Sequence, residues 1–220
     1  MKTEYDRMCP PTESAEPPVR PGDNVLVLCP SFRGDESRIC LELLTTTEPT
    51  ALDALSVLFT QSTDEHLDAW ERIAGTYPTR THVVNVDADG RSSGDATDGS
   101  ETGAQESDER VDYTVDRVGS PQNLTCLGVK IADCLDEWAE TAPDRQVAVC
   151  FQSVSTLLQY VDVPQAFEFL DIVTQRCEAS DAIAHYHLDP QAHDGSTIET
   201  LVDLFDVVVE YEDGEWATRQ

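Results

Sequence analysis

Gly22-Asp-Asn-Val-Leu-Val-Leu-Cys-Pro-Ser-Phe-Arg-Gly-Asp-Glu-Ser-Arg-Ile-Cys-Leu-Glu-Leu-Leu44 decides the fold. Val25 to Cys29 is a continuous apolar run, as in a strand buried on both faces, and a helix follows from Glu36 to Leu44. The join has the layout of a phosphate-binding loop, G-x-x-x-x-G-K-S/T. There, backbone amides cradle phosphates, the lysine reaches the outer ones and the hydroxyl holds magnesium. The eight positions here are Cys29, Pro30, Ser31, Phe32, Arg33, Gly34, Asp35 and Glu36. Only the second glycine is present, and Asp35 and Glu36 stand where the lysine and hydroxyl belong.

On the N-terminal side, residues 1–21 carry Pro10, Pro11, Pro17, Pro18 and Pro21 among Glu, Ser and Thr, a composition that packs no core. On the C-terminal side, strands and helices alternate. Ala54 to Thr60, Thr81 to Asp87, Val111 to Val118, Gln146 to Phe151 and Ala182 to His187 read as strands. Helices are expected from the capping box Ser62-Thr-Asp-Glu65, over Leu124 to Glu140, over Ser155 to Tyr160, over Pro164 to Cys177 with Phe167, Leu170 and Val173 inward, and from a second capping box at Ser196-Thr-Ile-Glu199. Asp206 to Tyr211, Asp213-Gly214 and Trp216 to Thr218 read as a terminal hairpin. Residues 88–110 hold only Gly, Ser, Thr, Asp, Glu, Gln, Arg and Ala and read as a disordered acidic insertion within one domain spanning 22–220. The pattern is that of an α/β, three-layer αβα fold with a mostly parallel central sheet and a C-terminal antiparallel hairpin.

The charge is extreme for a chain with a core. Lys+Arg 14 against Asp+Glu 43 gives a formal net charge of -29, yet 40% of the residues are hydrophobic. The acidity is therefore a surface property. Lys2 and Lys130 are the only lysines, a composition similar to that of proteins from organisms with molar salt in the cytoplasm. No basic stripe exists to displace counterions from nucleic acid, and no apolar run reaches the ~20 residues of a membrane span. Seven scattered cysteines without a C-x-x-C pair fit a reducing, cytoplasmic setting, most of them as small core residues.

Taken together, these units resemble the RecA-like ATPase core in its KaiC-like archaeal form, in a branch of uncharacterised haloarchaeal proteins that has lost its nucleotide motifs. Three blocks carry the resemblance: Gly22 to Leu44; Val147-Ala-Val-Cys-Phe-Gln-Ser153 with the turn after it, which is similar to a Walker B strand; and Ala184-His-Tyr-His-Leu-Asp189 with the helix and strand that follow. In an active relative the Walker B strand ends in an aspartate that orients magnesium. The matching position here is Gln152. The resemblance implies a RecA-like sheet. With Cys29, Asp35, Glu36 and Gln152 departing from the pattern, it implies a non-catalytic pseudo-ATPase that regulates or signals by binding a protein partner, as a monomer or dimer. No cofactor is expected, and the leaning is toward no enzymatic activity. Arg33 is the one cation left in the loop and is expected to pair with Asp35 or Glu36.

Two other readings come from the residues alone. A regulator that keeps weak affinity for ATP and magnesium would use Gly34 and the loop amides. A metal-dependent enzyme would use His185, His187 and His193, because imidazoles crowded near Asp189 and Asp194 could ligate zinc, and His185 and His187 share one face of a strand. Ser153 and Ser155 near Asp189 and a histidine could suggest a hydrolase, but no G-x-S-x-G elbow is present.

Overall fold

The computed structural model describes residues 19–30, 41, 43, 47–87, 100–104, 112–212 and 215–219. Among the described residues, nine strands form one sheet: β1 (Asn24–Leu28), β2 (Leu52–Leu58), β3 (Arg80–Val86), β4 (Ser100–Ala104), β5 (Asp112–Val118), β6 (Gln146–Gln152), β7 (Ile183–Leu188), β8 (Val207–Glu212) and β9 (Glu215–Arg219). Their order is β4-β5-β3-β2-β6-β7-β1-β8-β9. All neighbours from β5 to β8 run parallel, and the two outer pairs, β4 with β5 and β8 with β9, are antiparallel. Helices are α1 (Thr63–Ala74), α2 (Leu124–Thr141), α3 (Val154–Leu157), α4 (Val163–Ala179) and α5 (Gly195–Val202). Among the described residues, no helix is long and apolar enough to cross a membrane.

The expected three-layer αβα arrangement is present, because the central strands are apolar on both faces. Leu26, Leu28, Val149, Phe151, Tyr186 and Leu188 pack on one face with α2 and α4 through Ile131, Leu135, Phe169 and Leu170. Ala54, Ala148 and Cys150 face the other way, against Leu41 and the α1 residues Ala69 and Trp70. Burying a side chain of the Leu or Phe class contributes about 1.5–3 kcal/mol, so this double-sided sheet supplies most of the stabilisation. Asn24 crosses the first layer: its amide donates to Thr174 O (3.2 Å) and its oxygen accepts Tyr186 OH (3.0 Å).

Several expectations need correcting. Within the polar 88–110 segment, Ser100–Ala104 is strand β4, paired antiparallel with β5. An edge strand with one partner is held by the backbone ladder and needs no apolar run. The α5 cap is Asp194, not Ser196: the Thr197 N–H donates to Asp194 Oδ1 at 2.8 Å, and a carboxylate at that position also meets the positive end of the helix dipole. On α4, Phe169 takes the core position expected for Phe167, which is only partly buried. The box at Ser62 is present, with Glu65 N–H donating to Ser62 Oγ (3.2 Å) and Ser62 N–H to Glu65 Oε2 (3.0 Å). Tail residues 1–18, the loop positions Arg33, Gly34, Asp35 and Glu36, and the turn at Asp213 and Gly214 lie outside the described residues.

Candidate functional site at the carboxyl edge of the sheet

Parallel sheets collect ligand sites beyond the carboxyl ends of their strands, where the chain direction reverses. Here the chain leaves β2 toward β3 on one side and leaves β6 toward β7 on the other. The edge formed by β2, β6, β7 and β1 is therefore where a ligand would be held. Cys29 follows β1 at this edge, its N–H donating to Leu188 O at the end of β7 (3.0 Å). Gln152 ends β6, in register with Leu58 of β2. Only β7 separates the strands that carry Cys29 and Gln152, so the two altered positions of the sequence pattern share one edge.

What stands at the edge beside Gln152 is a polar clamp. Ser153 caps α3 by accepting Thr156 N–H (3.1 Å). Ser155 Oγ accepts the Asp189 N–H at 2.8 Å and lies within hydrogen-bond distance of His193 Nε2, 2.9 Å away. Asp189 Oδ1 accepts Gln191 N–H (2.8 Å), which closes the turn after β7. Burial depresses the His193 pKa, opposed by the nearby charges of Asp189 and Asp194. These bonds tie α3 to the loop that leads into α5.

The histidines expected to act together are thus divided. His193 belongs to the Ser155 clamp, while His185 and His187 lie inside β7 on the opposite side of the turn, with ring centroids 5.0 Å apart. Their neighbour is Cys150, the register partner of His185 on β6. In the sequence, Cys150 reads only as a packing residue in an apolar run. The signal that could have found it is the assumption of parallel β6–β7 pairing, which puts it level with His185. Burial disfavours the thiolate at two other cysteines: desolvation raises the Cys177 pKa to about 12 and lifts that of Cys134 well above the ordinary range.

A family model matches residues 22–211 of the chain. The chain belongs to DUF7504, a family of unknown function. No curated protein matches it. Among solved structures, this DUF7504 chain is similar to that of the "Structural study of Project ID PH0250 from Pyrococcus horikoshii OT3", with 14% identity, a TM-score of 0.53, and coverage of 91% of this chain and 87% of that one. At that identity the likeness is one of fold.

The clamp makes a prediction of its own. Ser155→Ala leaves the buried Asp189 N–H without its acceptor and should lower stability by about 1–3 kcal/mol. The pH dependence has a fixed sign. With its folded pKa depressed, His193 takes up a proton more readily in the unfolded chain, so stability falls as pH drops from the unfolded value, about 6.5, toward the lower folded value. His193→Gln should flatten that part of a urea-midpoint profile, and an unchanged slope would remove His193 from the account.

Proposed function

We propose that this chain is a RecA/KaiC-like protein that does not hydrolyse ATP and acts as a regulatory or signalling partner by binding another protein. The observation that carries the reading is Gln152 at the carboxyl end of β6. An ATPase of that kind needs a carboxylate there to orient magnesium and its water, and a neutral amide supplies no charge. The strand order supports it, since β6 and β1 lie either side of β7 and the Gln152 and Cys29 positions share an edge.

Charge in the loop opposes nucleotide more strongly still. Asp35 and Glu36 replace a cation and a hydroxyl. Each carboxylate held ~4 Å from a phosphate charge costs about 4 kcal/mol at an effective dielectric of 20. Loop amides offset only part of such repulsion.

Isothermal titration of ATP and magnesium into the protein in ~2 M KCl, where screening is nearly complete, should give no saturable heat. Binding in the micromolar range would sink the proposal in favour of a nucleotide-binding regulator using Gly34 and the loop amides. Gln152→Asp alone should leave hydrolysis at background, because the loop positions still repel phosphate. Measurable turnover by that variant would show that a single lost carboxylate had silenced the site.

A further inference from the structure

Cys150, His185 and His187 each offer a ligand atom, and these atoms all lie within 4.8 Å of one another. Their relative exposures are 0%, 1% and 7%, so the cluster sits in the interior of the sheet. A tetrahedral zinc ion with Zn–S ≈ 2.3 Å and Zn–N ≈ 2.0–2.1 Å needs ligand atoms about 3.3–3.6 Å apart. Binding therefore requires the three ligand atoms to draw closer together than they stand.

Strand packing alone does not call for two imidazoles in this place. On β1, the register partners of His185 and His187 are Val25 and Val27, both buried and apolar. Among the described residues, His187 Nε2 is buried and has no hydrogen-bond partner. Gln152 follows Cys150 by two residues on β6 and so shares its face of the sheet. Its buried Oε1 likewise lacks a partner among the described residues. Buried polar atoms are nearly always satisfied, and ligation of a cation satisfies both kinds.

We propose that Cys150, His185 and His187 bind one zinc ion, with the Gln152 carboxamide or a water in the fourth position. One thiolate and two neutral imidazoles form a borderline-soft donor set that suits zinc and disfavours magnesium or calcium. On binding, the Cys150 thiol gives its proton to solvent and no electron moves. The ion joins β6 to β7 directly below the carboxyl edge and so adds to the stability of the folded sheet, and its existence does not depend on the reading of the edge as a silent ATPase. His193, held by Ser155, takes no part.

The test uses full-length protein without a histidine tag, purified in ~2 M KCl. Elemental analysis should find close to one zinc per chain. Removing it with a chelator should lower the melting temperature, and adding zinc back should restore it. Cobalt(II) in place of zinc should give the visible bands of a tetrahedral site together with a thiolate-to-cobalt charge-transfer band. Cys150→Ser should abolish the charge-transfer band, His187→Gln should weaken cobalt binding at least tenfold, and His193→Gln should change neither. Persistence of the charge-transfer band in Cys150→Ser would overturn the assignment. So would folded wild-type protein that takes up neither metal, an outcome that needs no variant to fold.

Discussion

Dialysis from ~2 M KCl into about 10 mM salt is expected to unfold or loosen the domain, seen as loss of far-ultraviolet circular dichroism and of a cooperative melt. The cause is the net charge of -29. At ~1 M salt the Debye length is about 3 Å and neighbouring carboxylates scarcely sense each other, whereas at about 10 mM it reaches about 30 Å and charges across the whole domain repel. Few cations offset this. Of the two lysines, Lys130 is already engaged, its Nζ donating to Asp116 Oδ1 at 3.1 Å while His82 Nε2 lies 2.9 Å from Oδ2. Burial pushes the Asp116 pKa up, but the bonds and charges of Lys130 and His82 outweigh it and hold the carboxyl below its ordinary value. The depressed Asp116 carboxyl contributes stability above the ordinary carboxylate range, and that contribution is lost as the pH falls below it. An unchanged spectrum and melt in dilute buffer would contradict the account of the surface as salt-adapted.

How far the molecule is legible in its sequence depends on which contacts are local. Buried parallel strands such as β1 and β6 announce themselves as apolar runs, and the α1 cap is visible because Ser62 and Glu65 satisfy each other's amides within one turn. Strand β4 is not visible: Ser100-Glu-Thr-Gly-Ala104 has no hydrophobic pattern, and its place is set by the β5 backbone beside it. The site divides in the same way. Gln152 at the end of β6 follows from local pattern. The meeting of Cys150 with His185 depends on the parallel register between β6 and β7, which no short stretch encodes. The bond from Ser155 to His193 likewise joins two loops brought together only by the sheet. Reading the three histidines as one cluster fails for a simple reason: nearness along the chain ignores the turn at Asp189, which carries His193 away from the face that His185 and His187 share.

The same limit hides the most buried carboxylate among the described ion pairs. The apolar pattern starts the second strand at Ala54, which leaves Asp53 outside it. Instead Asp53 lies within β2 and is 0% exposed, ion-paired with Arg80 and with Arg145, the latter at 3.2 Å. Arg80, its register partner on β3, also donates to Thr141 Oγ1 (2.7 Å) and sets its guanidinium 5.1 Å from the Trp138 ring centre. The group lies at the amino ends of the strands, away from the candidate site, so its role is structural. Arg80→Ala leaves a buried carboxylate with one cation and should cost about 3–5 kcal/mol in urea denaturation. Lysine should not rescue it, because the guanidinium bonds two acceptors and packs on the indole at once. Asp53→Ala should cost less: the arginine side chains left behind are 28% and 27% exposed and can turn toward water, whereas the buried carboxylate cannot. Salt supplies the discriminating control. A fully buried carboxylate is screened far less than the acidic surface, so the Arg80→Ala loss should be nearly the same at ~1 M and ~3 M KCl while the stability of both proteins shifts. A loss that shrinks strongly with added salt, or an Asp53→Ala variant as damaged as Arg80→Ala, would mean that the pair is solvated and that its burial does not set the energy.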